Sequence, residues 1–143
     1  MGSLHRLSAP VVAVLAVACC EEAIVGSVAQ AFTKQQADAG AKSYQTFCAP
    51  CHQQDLSGLA APALVGPVFL RRWGPHTATQ LIDYVRTRMP KDDPGTLPDE
   101  EYLDIVAYVL AINGALPGNS SLTITTEAKL SQLLPALPAR PTR

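Results

Sequence analysis

The chain has 143 residues, of which 48% are hydrophobic and 16% charged, enough for one domain, or a small domain with appendages, around an ordinary core. A formal net charge of -1, with no basic run and no stacking platform, gives no field that would favour nucleic acid, so none is expected as a partner. Four cysteines are too few for a disulfide scaffold, and twelve prolines with nine glycines predict much loop.

Residues 1–31 read as an export signal. His5 and Arg6 make a weakly basic start, Val11 to Cys20 is a ten-residue apolar run, and Ala29-Gln30-Ala31 is an A-x-A cleavage site. The run is too short to span a bilayer as a helix. Glu21 and Glu22 lengthen the stretch before the cleavage site, which leaves an uncleaved interfacial anchor open. A lipidated N-terminus at Cys19 is also open, although Ala16 stands where a leucine is usual. A membrane is expected as a partner only through such an N-terminus. Cleavage after Ala31 leaves a chain beginning at Phe32, with ten basic and ten acidic residues and two cysteines, Cys48 and Cys51.

Thr33 with Gln36 has capping-box spacing and predicts a first helix over 34–47. Gly40, Tyr44 and Cys48, four apart, share one face of it. Gly40 weakens the helix relative to alanine, but it would let another backbone approach closely. Residues 53–75, with Gly58, Pro62, Gly66, Pro67 and Gly74, show no clear period and predict a long structured loop wrapped around something. Thr77 with Gln80 is a second capping box, followed by a helix to about Arg88 with Leu81, Tyr84 and Val85 on its apolar face. Pro90 stops it after Met89. Pro98 followed by Asp99, Glu100 and Glu101 is the strongest helix start, and Asn113-Gly114 ends that helix. Its stripe of Leu103, Val106, Ala107 and Leu110, widened by Tyr102, Ile105, Tyr108 and Val109, predicts burial. Residues 115–143 form a C-terminal extension, with a short helix expected within 126–134 and a mobile end from Pro135.

The chemistry centres on Cys48-Ala49-Pro50-Cys51-His52. Two thiols at i and i+3 at a helix end can add to the two vinyl groups of one haem, and the next histidine is then held under the iron; C-x-x-C-H is read as c-type haem attachment. A thioredoxin-like dithiol would need alternating strands and helices, which the chain lacks. A zinc site would need a fourth ligand, for which only His76 or an acidic residue remains. Met89 is the only methionine besides Met1, and it ends a helix 37 residues after His52. A soft, neutral thioether there would be the sixth iron ligand, favouring Fe(II). Two other readings stay open: Met89 as core filler, and His76 as a second histidine ligand.

From about Gln36 to Gly114 the chain resembles the class I c-type cytochromes. Gly40, Tyr44 and Cys48 match that family's glycine, aromatic and first haem cysteine. Ile105-Val106-Ala107-Tyr108 resembles its C-terminal helix, which implies that Ile105 and Tyr108 cross Gly40 and Tyr44. Pro62-Ala63-Leu64-Val65-Gly66 resembles the loop in which a proline carbonyl accepts the Nδ1 proton of the axial histidine, with Leu64 packed on the haem. Trp73 and Tyr84 are placed in the haem pocket, Trp73 as a propionate partner or as core. Arg71 and Arg72 are propionate partners, a docking patch or solvated charge. Arg88-Met89-Pro90 and the extension resemble cytochrome subunits and domains of periplasmic quinoprotein dehydrogenases.

The resemblance implies an all-α fold of three main helices and long loops around one covalently bound haem c, over residues 32–114. It implies a periplasmic one-electron carrier that is not itself an enzyme. Its partners would be a dehydrogenase as donor and an oxidase or another cytochrome as acceptor. Two alternatives stand beside it: a tightly bound subunit of a quinoprotein or flavoprotein dehydrogenase, and a haem enzyme or gas sensor with a displaceable Met89.

Overall fold

The computed structural model describes Gly2 and residues 29–136. Most of the export-signal reading, and the expectation for the last residues from 137 on, lie outside the described residues. Among the described residues the chain is helical and has no strand, only two isolated bridges, Thr33 with Gly118 and Thr77 with Lys129. No described helix is long and apolar enough to cross a membrane.

Helix α1 (Lys34–Phe47) opens on the expected capping box: Thr33 Oγ1 accepts from Gln36 N at 3.2 Å, and Gln36 Oε1 accepts from Thr33 N at 3.3 Å. A one-turn α2 (Ala49–His52) follows directly. Helix α4 (Ala78–Arg88) opens on the second box, Thr77 with Gln80, and ends where Met89 turns extended ahead of Pro90. Helix α5 (Asp99–Ile112) begins after Pro98, with three carboxylates in its first turn, where the helix dipole favours negative charge.

α1, α4 and α5 are the three main helices expected, and residues 53–75 depart from the expected loop in one part. Gly66–Trp73 is an eight-residue helix, α3. Gly66-Pro67 reads as turn punctuation, yet a proline in the first helical turn starts a helix as readily as it ends one. The burial of Phe69 and Trp73, four apart, gives α3 an inward face too short to register as a period in sequence.

α1 and α5 make the central packing pair, and α4 packs on α5. Gly40 is buried at the crossing. A Cβ there would lie 2.8 Å from Ile105 N and closer still to the Asp104 carbonyl, so the two backbones touch. One turn on, the Tyr44 and Tyr108 rings meet with centroids 5.3 Å apart. The crossing of Gly40 and Tyr44 with Ile105 and Tyr108 is therefore present.

The extension folds back on this body. Leu122, Leu130, Leu133 and Leu134 are buried, as is Phe32 at the other end of the described chain. Only Leu130–Leu133 is helical (α6), shorter than the helix expected within 126–134. The stretch before it is drawn along the start of α4 instead: the Thr126 and Ala128 carbonyls accept from Thr79 N and Ala78 N, and Lys129 is extended.

On an open helix face, glycine to alanine stabilises by about 1 kcal/mol. Gly40→Ala is expected to do the opposite, destabilising by about 1–3 kcal/mol through forced separation of two backbones. A denaturant midpoint equal to or above wild type would show that α1 and α5 do not touch there.

Candidate haem site

The end of α1 sets the geometry. Cys48 caps α1 and leads straight into α2, where His52 N donates to Cys48 O at 2.9 Å. One helical turn thus places Cys48 and Cys51 on the same side, followed at once by His52. Gln53 breaks the turn with φ +66°. Tyr44 OH donates to the Gln53 carbonyl at 2.8 Å, tying that break back to α1. Cys48 is half-buried and Cys51 exposed, and both are free thiols. Burial, then the neighbouring Cys51, pushes the Cys48 thiol up to about 11.

The loop after α2 returns to the histidine. Gly58 N donates to His52 O at 2.9 Å, and Ala61 N to Cys51 O at 3.2 Å. This brings the Pro62 carbonyl to 2.8 Å from Nδ1 of the buried His52. A carbonyl oxygen only accepts, so Nδ1 carries the proton and donates, leaving the Nε2 lone pair available. Among the described residues Nε2 has no hydrogen-bond partner. Gly58 makes the return feasible. Its φ is +77°, and a Cβ would sit 2.5 Å from Ala61 O and 2.7 Å from the Pro62 carbonyl carbon.

The other anticipated residues fall into two groups. Leu64 is half-buried against the core. Trp73 is buried and meets Tyr84 edge-on, with centroids 5.1 Å apart. Arg72 donates to Tyr84 OH at 3.4 Å, and its guanidinium lies 5.5 Å from the Trp73 centroid. Met89 is half-buried at the end of α4. His76 is at the opposite end of α4; eleven residues of helix separate the two by about 16 Å. The His76 ring faces Trp73 at 5.4 Å, and its Nδ1 lies 3.2 Å from Gln80 Oε1.

Two residues read from sequence only as helix features hold the site's loops. Tyr102 OH donates to Met89 O at 2.9 Å and accepts from Leu97 N at 3.3 Å, fixing the backbone on both sides of the loop after α4. Asn113, buried at the end of α5, donates to Leu64 O at 2.8 Å and accepts from Gly66 N at 2.9 Å. Asn-Gly signals a helix end, but nothing local signals partners 47 and 49 residues away.

This fold and this turn are those of a class I c-type cytochrome. Residues 35–109 match the family model described as cytochrome c oxidase, cbb3-type, subunit III, and the chain belongs to that family, whose cytochrome c domain implies haem c as the cofactor. No curated protein matches at a significant level. Among solved structures, the sulfane dehydrogenase SoxCD from Paracoccus pantotrophus contains a similar chain, 24% identical with a TM-score of 0.47. The match covers 69% of this chain and 53% of that one, so this chain spans about half the length of its solved relative.

The residues present fit such a group. Two unpaired thiols share one turn beside a histidine whose tautomer is fixed with Nε2 open. Among the described residues no three of His, Cys, Asp and Glu gather as a metal site, so a zinc site lacks its further ligands.

Gly58→Ala is expected to destabilise the protein by about 1–3 kcal/mol, from a positive φ and a backbone clash at the return to Pro62. Denaturant unfolding of the holoprotein checks this; an unchanged midpoint would mean that the loop reaches His52 by another path.

Proposed function

We propose that the chain is an exported carrier of single electrons, with one haem bound covalently through Cys48 and Cys51 and ligated by His52 and Met89. The observation that carries this reading is the His52 ring, buried beside two free thiols and donating Nδ1–H to Pro62. Bound haem c supplies the Fe(III)/Fe(II) couple. The rest is the work of side chains. Donation of Nδ1–H to a carbonyl makes the imidazole a stronger donor at Nε2 and fixes its plane. The Met89 thioether, as a further ligand, would be neutral and soft and would favour Fe(II). Tyr102 restrains that residue through its carbonyl. If His52 and Met89 both held the haem, their side chains would leave no open site for substrate chemistry, which supports a carrier and not an enzyme in its own right.

A periplasmic dehydrogenase as donor and an oxidase or second cytochrome as acceptor are the partners this reading assigns. The fifteen residues between Asp55 and Arg71 carry no charge, and within them Leu59 is 82% and Val68 49% exposed. Cys51, beside this stretch, is exposed. An uncharged contact of this kind suits brief encounters over a small area.

A second reading, a permanent subunit of a dehydrogenase, draws on a different observation. Ile112, Leu116 and Ile124, all at the end of α5 or in the extension, are exposed. Scattered apolar residues are ordinary on a surface, so the free carrier is preferred. Co-elution with a flavoprotein or quinoprotein from the source would favour the subunit.

The test is the mass of the exported protein after denaturation in acid solvent. Polypeptide plus one haem is expected; bare polypeptide, with haem lost to solvent, would overturn the proposal. Met89→Ala is expected to keep the haem but lower its potential, because the preference for Fe(II) goes with the thioether. An unchanged potential would remove Met89 from the ligand set.

Reduction by the donor, followed by stopped flow across a salt series, is expected to slow only modestly, since a neutral contact has little field to screen. A loss of about two decades in rate would point to a concentrated charged patch in the docking face.

A further inference from the structure

We propose that the extension after α5 is a strap whose role is to position Met89, which it does by fixing the entry of α4 against α1. This rests on the reading of Met89 as the sixth iron ligand.

α4 has eleven residues, too few to hold its own register in water. Its last turn runs directly into Met89, so any slip or fraying of the helix moves the thioether. The strap closes its first turn. Ala78 N donates to Ala128 O at 2.9 Å and Thr79 N to Thr126 O at 3.1 Å. Thr79 Oγ1 donates to the same Thr126 oxygen at 2.9 Å. Gln80 N and Thr77 N are capped locally, by Thr77 Oγ1 at 3.3 Å and Gln80 Oε1 at 3.0 Å. Two of the first-turn donors that a helix cannot satisfy itself are therefore taken by the strap. Just upstream, Leu130 N donates to His76 O at 2.9 Å and Ser131 N to Gly74 O at 3.1 Å, so the link from α3 into α4 is held as well.

The other end of the strap is fastened to the start of α1. Gly118 N donates to Phe32 O at 2.7 Å. The Gln36 side chain pairs with Leu122 as a strand would: Leu122 N donates to Oε1 at 2.7 Å, and Nε2 donates to Leu122 O at 3.0 Å. Gln36 Oε1 is also the acceptor that closes the α1 capping box, so one side chain serves the helix and the strap together. Buried Leu122, Leu130, Leu133 and Leu134 hold the strap down along its length.

The two iron ligands come from different ends of the fold. α1 leads into the turn that carries His52, and α4 leads into Met89. Each helix packs on α5, and the strap is a second link between them. Without it, the entry of α4 loses these bonds, and the helix is left with its packing, Arg72 on Tyr84, the Arg86–Asp99 ion pair and Tyr102 at its far end. The thioethers and His52 do not depend on the strap, so its loss should release one ligand and spare the rest.

The experiment uses exported holoprotein, wild type and a chain ending at Gly118. It reads the ferric sulfur-to-iron charge-transfer band and the affinity of the reduced protein for carbon monoxide, which must displace Met89. The shortened chain is expected to keep its covalent haem, lose most of the band, and bind carbon monoxide about tenfold more tightly, because affinity follows the fraction of protein with the site open. Adding a peptide of residues 119–136 should restore the band. A full band and unchanged affinity in the shortened chain would overturn the strap's role while leaving Met89 as ligand. A wild-type protein without the band would overturn the Met89 reading, and the strap with it. Should the shortened chain give no holoprotein, Thr79→Val and Thr79→Ser decide. The valine variant is expected to raise carbon monoxide affinity and the serine variant to match wild type; equal behaviour of all three would overturn the proposal.

Discussion

Helices α1 and α5 touch through their backbones, where Gly40 lies against the Asp104 carbonyl and Ile105 N–H, and the placement of every other functional element follows from that contact. The approach fixes α5 relative to the end of α1, and so to the Cys48–His52 turn. α5 then reaches in two directions. Near its start, Tyr102 holds the Met89 carbonyl; at its end, Asn113 holds Leu64 and Gly66. One helix thus sets both the segment that follows the histidine's loop and the segment that carries the methionine. A contact with no side chain on one partner leaves little room to adjust, which gives so loop-rich a chain a definite geometry.

Polar groups do most of the remaining positioning. The Pro62 carbonyl sets the histidine tautomer, and Gly58 permits the loop that delivers it. Tyr44 ties the break after His52 to α1. Each of these bonds contributes little to stability alone, about 1 kcal/mol net, but each removes a freedom that these loops would otherwise have. An electron carrier gains from such restraint, because a site that keeps its geometry in both oxidation states has little to rearrange on transfer. The C-terminal strap extends the same logic to α4 through backbone bonds and buried leucines.

The sequence by itself determined the features that are local. Both capping boxes were legible, because Thr and Gln three residues apart satisfy each other's helix-end groups wherever they occur. The limits of α1 and α4, the burial of α5 and the C-x-x-C-H turn follow from periods and spacings of the same short range. Gly40 was legible as a close approach once the chain was seen to resemble a family in which two helices cross there. What only the tertiary structure decided was long in range or ambiguous in sign. Gly66-Pro67 can end a loop or open a helix, and the inward packing of Phe69 and Trp73 chose the helix α3. Residues 126–134 suit a helix, but the stretch before Leu130 is drawn along the start of α4, and only Leu130–Leu133 is helical. Asn113, Tyr102 and Gln36 carry polar side chains whose partners lie up to 86 residues away, and no spacing in a sequence encodes a hydrogen bond that only the packed helices bring within reach.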